Sequence, residues 1–205
     1  MTTSTRSDTR ARILDAAERL ILEVGYTATS VDRIIAEVGV TKGAFFYHFK
    51  TKHDLARALV QRNAASDLAR LDAYAARARE LAADPLQSLL VFIGLYGEMV
   101  EAMADDPNPG CLFASFCYES GQFDAEVLRP LEDVIVGWRV KLADWLREAA
   151  AAHPPVRKID PESLADLLTV IFEGAFVLVR STGDQRAFAT QLRHYRSYLE
   201  LLFGL

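Results

Sequence analysis

Basic and aromatic side chains cluster in residues 41–52, which read TKGAFFYHFKTK. Lys42 is a residue type that reaches guanine O6 or N7, or a phosphate, from the start of a helix in the DNA major groove. Gly43 and Ala44 have almost no side chain, so the backbone beside them can approach base edges closely. The Ala44 methyl group also suits contact with a thymine methyl group. This composition predicts a short helix that enters a DNA groove.

Two short helical patterns must position that segment. The first, residues 31–38, ends at Gly39, and either Thr29 or Ser30 is placed to cap its N-terminus. Thr41 is placed to cap the second pattern. Two helices joined by a turn of three or four residues that contains glycine have the outline of a helix-turn-helix, whose second helix lies in the major groove.

The same segment resembles the DNA-binding segment of the TetR family of bacterial transcriptional regulators. The resemblance rests on Gly39, Val40, Lys42, Gly43, Phe46, Tyr47, His48, Phe49, Lys52 and Leu55. It implies that Tyr47 and His48 contact the DNA backbone or base methyl groups, and that Lys52 anchors a phosphate. Phe46 departs from the family's usual Leu-Tyr pair, because it has no hydroxyl and offers apolar contact only.

The resemblance also implies phosphate contacts at the start of the preceding helix, assisted by its N-terminal amides. The predicted DNA-binding residues are Thr29, Ser30, Thr41, Lys42, Gly43, Ala44, Phe46, Tyr47, His48 and Lys52. Phe45 and Phe49 are four residues apart, and we expect both to pack in the core of the small head. An internal cap or ring contact is the alternative for His48.

The composition is that of a globular protein. The 205 residues carry a net charge of −5; residues 1–60 hold nine Lys+Arg and seven Asp+Glu, for +2, and residues 61–205 account for −7. A mildly basic head on an acidic body is typical of a DNA-binding tip on a domain that avoids phosphates. No run of eighteen apolar residues, no signal-peptide core and no disulfide framework is present, so we expect a cytoplasmic protein without membrane contact.

Nearly the whole chain has the three- and four-residue apolar spacing of amphipathic helices. We predict an all-α homodimer of about nine helices per chain, with an N-terminal three-helix head that contains the helix-turn-helix and a C-terminal helical bundle. The predicted domains are residues 1–53, for DNA binding, and residues 54–205, for ligand sensing and dimerisation. A central helix is expected to end at Met103, before a loop at residues 105–110.

Two apolar stripes near the C-terminus predict a dimer surface. One small head makes few DNA contacts, and helix-turn-helix dimers place their recognition helices about 34–36 Å apart on a roughly palindromic operator. The predicted interface residues are Ile171, Ala175, Leu178, Tyr195, Leu199 and Leu202. An intrachain core is the alternative for both stripes, and the family resemblance favours the dimer.

Aromatic and flexible apolar side chains in the body predict a small-molecule pocket between bundle helices. The predicted ligand-binding residues are Phe92, Tyr96, Met99, Cys111, Phe113, Phe116, Tyr118, Trp138, Lys141, Phe172 and Phe176, with Glu119 as a further polar candidate. A plain hydrophobic core is the alternative for each of them. Cys111 begins a predicted short helix, whose dipole favours the thiolate, and some TetR-like regulators sense oxidants with a similar Gly-Cys pair.

These features predict a ligand-responsive transcriptional regulator that binds double-stranded operator DNA as a homodimer. A repressor is the preferred form of this prediction. An unknown small molecule, or as a second route thiol modification, would release it. The alternative is an all-helical ligand-binding protein or enzyme without DNA-binding activity. Enzyme motifs such as Gly-x-Ser-x-Gly and His-Glu-x-x-His are absent, and the four histidines are scattered, so no enzyme, cofactor or metal site is predicted. The ligand, the operator sequence and the direction of regulation stay open.

Overall fold

The computed structural model describes residues 2–102 and 110–205, with side chains described from residue 8 onward. These residues contain nine α-helices and no strand, which confirms the predicted all-α class. The helices are α1 Thr2–Val24, α2 Val31–Val38, α3 Lys42–His48, α4 Lys52–Leu81, α5 Pro85–Ala102, α6 Leu112–Tyr118, α7 Ala125–Ala152, α8 Pro161–Thr182 and α9 Ala187–Leu202. A short 3₁₀ helix, Ser120–Gln122, follows α6. The helix end predicted at Met103 and the predicted loop, Gly110 excepted, lie outside the described residues.

Side-chain caps define several of these helix starts. The Thr41 hydroxyl accepts a hydrogen bond from the Ala44 amide at the start of α3. Thr51 and Asp54 form the reciprocal capping box before α4, since the Thr51 hydroxyl accepts from the Asp54 amide and donates to its carboxylate. Asp160 caps α8 ahead of Pro161. Each cap satisfies amides that have no partner inside the helix, which is why the sequence signals located these starts well.

The chain divides into two compact units. The first is Met1–Ala65 with Gly110–Glu132, and the second is Ser66–Pro109 with Asp133–Leu205. The units differ from the predicted domains, because residues 54–65 and the segment after Gly110 pack with the N-terminal helices. Helices α4 and α7 contribute residues to both units.

The first unit has one apolar core, to which distant parts of the sequence contribute. Phe45 and Ile34 are fully buried beside α1 residues such as Leu14. Phe116 and Val127, from the 110–132 segment, are fully buried in the same core. The head of this protein is therefore built from two stretches of chain separated by the 44 residues 66–109.

The second unit is a helical bundle in which α9 packs against α5 and α8. The apolar stripe of α9 points into this bundle: Tyr195, Leu199 and Leu202 are buried, and the Tyr195 hydroxyl donates a 2.8 Å hydrogen bond to the Leu164 carbonyl. Ala175 of α8 is buried as well. The prediction of these four residues as a dimer surface was wrong, because the chain's own core covers them.

A different face of α8 and α9 is exposed and apolar. Val170, Val177 and Leu178 are exposed on α8, and Tyr198 and Leu201 are exposed on α9. Val170 and Val177 are seven residues apart and Tyr198 and Leu201 are three apart, so each pair lies on one side of its helix. Of the predicted interface residues, Leu178 lies on this exposed face and Ile171 is half-buried.

Candidate functional site

The corner between α2 and α3 is held by backbone geometry. Gly39 has φ +71° and directs its amide, with that of Val40, to the Ile35 carbonyl. A residue with a side chain is strained in this left-handed conformation, so glycine suits the position. The Arg12 guanidinium of α1 donates a 2.7 Å hydrogen bond to the Val38 carbonyl, at the C-terminus of α2. These contacts fix the direction in which α3 leaves the turn.

Helix α3 has one buried face and one exposed face. Phe45 and, just after the helix, Phe49 are buried, as the sequence predicted. Phe46 and Tyr47 are exposed, with the Tyr47 side chain 56% exposed. Phe45 and Phe49 therefore anchor α3 to the head core, and the side chains on its opposite, exposed face are available to a binding partner.

The polar end of that exposed face lies at the start of α3. Lys42 and Gly43 are exposed, Ala44 is half-buried, and the Lys42 ammonium is 3.1 Å from a carboxylate oxygen of Asp32. Arg33 of α2 pairs similarly with Glu23 at 2.9 Å. Exposed pairs of this kind contribute about 0–1 kcal/mol, so a phosphate can replace the carboxylate at little cost.

Thr29 and Ser30 have different roles, and one expectation needs correction. Ser30 is exposed and caps α2, because its hydroxyl oxygen accepts from the Arg33 amide at 3.1 Å. Thr29 is fully buried, and its hydroxyl donates a 2.8 Å hydrogen bond to the Gly25 carbonyl. The Thr29 side chain therefore cannot contact a phosphate, and it stabilises the turn between α1 and α2 instead.

Lys52 is more enclosed than a simple phosphate anchor. Its ammonium donates a 2.5 Å hydrogen bond to the Tyr26 carbonyl and lies over the Tyr26 ring, 4.0 Å from the centroid. Desolvation by this burial lowers the pKa of Lys52, although the nearby Glu119 carboxylate opposes the shift. The ammonium thus fastens the first residue of α4 to the α1–α2 turn.

Five aromatic rings and an ion pair form a cluster inside the second unit. The Tyr96 ring lies 4.8 Å from the Tyr74 and Phe92 rings, 5.2 Å from the Trp138 ring and 5.9 Å from the Phe172 ring, measured between centroids. Phe92, Tyr96, Trp138 and Phe172, all predicted ligand residues, are thus brought together.

Polar groups border this cluster. The Trp138 indole donates a 2.6 Å hydrogen bond to Asp67, whose other oxygen lies 2.7 Å from the Arg70 guanidinium. The Tyr96 hydroxyl is buried beside the Arg70 guanidinium and makes no hydrogen bond of normal geometry to a described residue. Burial raises the pKa of Tyr96, and the Asp67 charge raises it further, whereas the Arg70 charge acts in the opposite direction.

Other predicted ligand residues lie elsewhere. Phe116 packs with Tyr26 and Phe123 in the core of the first unit, and Phe113 packs partly buried against the same core. Tyr118 is 81% exposed, so it lines no enclosed pocket. For these three residues the ligand prediction was wrong, because the 110–132 segment packs with the head.

Four further predictions have mixed outcomes. Cys111 caps α6, accepting a 3.4 Å hydrogen bond from the Ala114 amide. Lys141 pairs with Asp72 and lines an open groove of about 540 Å³ between α4 and α7. This groove is exposed to solvent, unlike the interior pocket that the sequence predicted. Phe176 packs on Phe188 within the second unit, and Met99 is half-buried there.

Glu119 has a role that the sequence did not indicate. Its carboxylate accepts hydrogen bonds from the backbone amides of Tyr26 and Thr27, at 2.7 and 2.8 Å. The sequence predicts Glu119 as a polar group of a ligand pocket, and this prediction is wrong because the carboxylate binds backbone amides of the head. Glu119 is 93 positions from Tyr26 and 92 from Thr27, so no local sequence pattern could have indicated these contacts.

Family comparisons match two successive parts of the chain. The family described as bacterial regulatory proteins, tetR family, matches residues 13–59, and the family described as tetracyclin repressor-like, C-terminal domain, matches residues 85–195. The chain belongs to the TetR family. The first match contains the whole α2–α3 corner, so the exposed α3 face belongs to the helix-turn-helix of a TetR-family transcriptional regulator.

Relatives within the family include named regulators. The transcriptional regulator AcuR of Cereibacter sphaeroides is 29% identical over 160 residues, which covers 77% of this chain and 69% of that protein. The transcriptional repressor DhaR of a Mycobacterium species is 23% identical over 175 residues, covering 85% and 84% of the two chains. The AcrR regulator of Shigella flexneri is 48% identical over 48 residues, or 23% of this chain and 22% of that one.

Solved TetR-family structures share the fold. A regulator from Agrobacterium tumefaciens superposes with a TM-score of 0.77 at 23% identity, covering 94% of this chain and 98% of that one. The reduced form of Escherichia coli NemR superposes with a TM-score of 0.70 at 18% identity, covering 92% and 96%. In the part of the chain that the structure describes, no helix is long and apolar enough to cross a membrane, and no cluster of potential metal ligands occurs.

Proposed function

We propose that this TetR-family protein is a ligand-responsive repressor that binds a roughly palindromic operator as a homodimer in the cytoplasm. The observation that carries the proposal is the exposed face of α3, with Lys42, Gly43 and Tyr47 above a buried Phe45–Phe49 platform. A rigid helix with short side chains at its N-terminal end and a cation beside them suits the major groove. The naming of one relative as a repressor supports the direction of regulation.

The DNA contacts are divided by chemistry. Lys42, Gly43 and Ala44 face base edges, whereas Ser30, Thr41, Tyr47 and His48 face the DNA backbone. Phe46 adds apolar contact, and Lys52 directs a remaining ammonium donor to a phosphate while it holds the Tyr26 carbonyl. Because an ammonium has three donors, both contacts are compatible.

The exposed apolar face of α8 and α9 supplies the dimer contact. Val177 and Leu201 are 56% and 70% exposed, and large apolar side chains left exposed on a surface favour contact with another chain. A second copy presents the same face, so a twofold axis pairs α8 and α9 of each chain in a four-helix interface. Two heads then contact two half-sites.

The aromatic cluster of the second unit is the proposed sensing site. Rings of Phe92, Tyr96, Trp138 and Phe172 offer stacking surfaces, and the unpartnered Tyr96 hydroxyl offers one hydrogen bond. Since the neighbouring Asp67 and Arg70 charges neutralise each other, an uncharged ligand with a hydrogen-bonding group suits this interior.

Selection of bound fragments from random double-stranded DNA tests the DNA role and reports the half-site spacing. The affinity for the selected operator should fall steeply with salt. Lys42→Ala should lower this affinity and alter the base preference at one position of each half-site. Lys158→Ala, at an exposed lysine of the second unit, is the matched control and should change neither property. An association that does not respond to salt would contradict the proposal.

A further inference from the structure

The turn between α1 and α2 is held by a carboxylate from a distant part of the chain. One Glu119 oxygen accepts a hydrogen bond from the Tyr26 amide at 2.7 Å, and the other accepts from the Thr27 amide at 2.8 Å. The Thr27 hydroxyl donates to the same second oxygen. Three donors of one turn therefore converge on a single side chain, and we call this set the Glu119 clamp.

The surroundings of the Glu119 clamp are adapted to it. At Gly25 φ is +85°, a conformation that favours glycine, and a Cβ atom there would lie 2.8 Å from a Glu119 oxygen, so a side chain at this position would displace the carboxylate. Although desolvation alone would raise the pKa of Glu119, the Thr27 and Tyr26 hydrogen bonds and the Lys52 charge hold that pKa below its usual value. The folded head thus favours the ionised carboxylate.

Contacts on both sides of Glu119 join the same two regions. The Tyr26 ring lies 4.6 Å from the Phe123 ring and 5.7 Å from the Phe116 ring, between centroids. Asp124 lies 3.0 Å from the His53 imidazole, and Glu126 lies 3.0 Å from the Arg57 guanidinium. Residues 116–126 therefore contact the turn before α2 and the first turns of α4, which flank the helix-turn-helix in the sequence.

The clamped turn is the entrance to the DNA-reading helices. Thr27 is three residues before Ser30, the N-cap of α2, and α2 leads through the Gly39 corner into α3. A displacement of the turn changes where α2 begins, and the fixed α2–α3 corner transfers this change to α3. The groups that hold the turn therefore influence how α3 meets DNA, although they do not touch DNA themselves.

We propose that Glu119 is a positioning residue for DNA recognition, which fixes the turn before α2 through its carboxylate. The inference rests on the proposed DNA-binding function and assigns the placement of α2 and α3 to one set of contacts. When the carboxylate holds Tyr26 and Thr27, α2 and α3 are fixed for operator binding. Without the carboxylate, the turn loses three hydrogen bonds and the head loses affinity.

Three variants test the proposal: Glu119→Ala, Glu119→Gln and, as a control that removes the same charge on the same segment, Glu132→Gln at an exposed position. Glu119→Ala should lower operator affinity about tenfold or more, because the turn loses three hydrogen bonds to a charged group. Glu119→Gln should cause a smaller loss, since one acceptor oxygen is retained. Glu132→Gln should match the unchanged protein.

Two further measurements separate positioning from loss of folded protein. Circular dichroism should show every variant helical at the assay temperature, and the slope of log affinity against log salt should stay constant, because no phosphate contact is removed. Hydrogen exchange should be faster at the Tyr26 and Thr27 amides in Glu119→Ala. Thr27→Val, which removes only the hydroxyl, should lower affinity, and its effect should be smaller in the Glu119→Ala background.

Unchanged operator affinity and unchanged exchange at both amides in Glu119→Ala would overturn the proposal. Additive effects of Thr27→Val and Glu119→Ala would overturn it too. If Glu119→Ala does not fold, Glu119→Gln and Thr27→Val provide the same comparisons. If neither the unchanged protein nor Glu132→Gln binds any DNA, the proposed function fails, whereas amide exchange at Tyr26 and Thr27 still tests the clamp independently.

Discussion

The Lys52 ammonium lies 2.5 Å from the Tyr26 carbonyl oxygen and 4.0 Å from the centroid of the Tyr26 ring. This contact joins the start of α4 to the turn before α2. The segments that precede and follow the helix-turn-helix in the sequence are therefore bonded to each other. A lysine that the family resemblance assigns to phosphate binding therefore also has a structural role.

Replacement of Lys52 separates these two roles. Lys52→Met should lower the free energy of unfolding by about 1–3 kcal/mol, because the Tyr26 carbonyl loses a charged donor. Operator affinity should fall by a similar factor on all sequences, and the salt slope should decrease by about one if the ammonium also contacts a phosphate. Urea unfolding and DNA titrations at several salt concentrations measure these effects. A loss of affinity on one sequence alone would contradict the assignment.

Thr29 and Ser30 provide a second comparison. Thr29→Val leaves the buried Gly25 carbonyl without its donor and should cost about 1–3 kcal/mol in unfolding free energy. Ser30→Ala removes the α2 cap and should cost about 0.5–2 kcal/mol. Only Ser30→Ala removes a group that is exposed to DNA, so the loss of operator affinity relative to the loss of stability should be larger for Ser30→Ala than for Thr29→Val. Urea unfolding and DNA titrations measure both quantities, and a larger relative loss of affinity for Thr29→Val would contradict the assignment.

The unpartnered hydroxyl of Tyr96 predicts an unusual response to mutation. Tyr96→Phe should leave the stability of the ligand-free protein unchanged or raise it by up to about 1 kcal/mol, because a buried group without a partner is removed. Tyr195→Phe is the matched control, since its buried hydroxyl donates to the Leu164 carbonyl, and it should lose about 1 kcal/mol. Thermal unfolding distinguishes the two variants. Equal destabilisation by both would show that the Tyr96 hydroxyl has a partner in solution.

The dimer face can be tested with a single charge. Leu201→Glu, at a residue that is 70% exposed on α9, should convert the dimer to monomer, because the charge would be buried between two copies. Val140→Glu, at a residue that is 52% exposed on α7, is the control and should remain dimeric. Analytical ultracentrifugation measures both. A dimeric Leu201→Glu would move the interface to another surface.

Acid should lower the stability of the head by protonating the Glu119 carboxylate. Because the pKa of this carboxyl is lower in the folded protein than its ordinary value of 4.5, its contribution to stability is complete above that value and is lost as the pH falls through the lower, folded pKa. The difference in unfolding free energy between the unchanged protein and Glu119→Gln should therefore shrink below about pH 4.5. Urea unfolding at several pH values measures it, with Glu132→Gln as a control. A difference that does not depend on pH would show that the clamp does not require the charge.

Local signals in the sequence predicted the helices well. Apolar spacing, together with caps such as Thr41, Asp160 and the Thr51–Asp54 box, located helices because each signal acts within a few residues. Phe45 and Phe49 were assigned to the head core on the same basis. The remaining residues of α3 were therefore expected on its exposed face.

The other predictions depended on tertiary packing, which local sequence signals do not report. The α9 stripe is equally compatible with a dimer surface and with an intrachain core, and only the packing of α5 and α8 against it decides for the core. Thr29 and Ser30 are both good capping residues, and burial separates them. Glu119 contacts Tyr26 across more than 90 residues, so its role depends on the assembled fold.

The discontinuous composition of the first unit has a consequence for biosynthesis. A ribosome that has released only the first 65 residues has made the helix-turn-helix but not Phe116, Glu119 or Val127, which complete its core and hold its turn. Closing that long stretch of chain costs conformational entropy before the contacts are gained. The nascent protein should therefore acquire a protease-resistant N-terminal region only after residue 132 has emerged, late in translation.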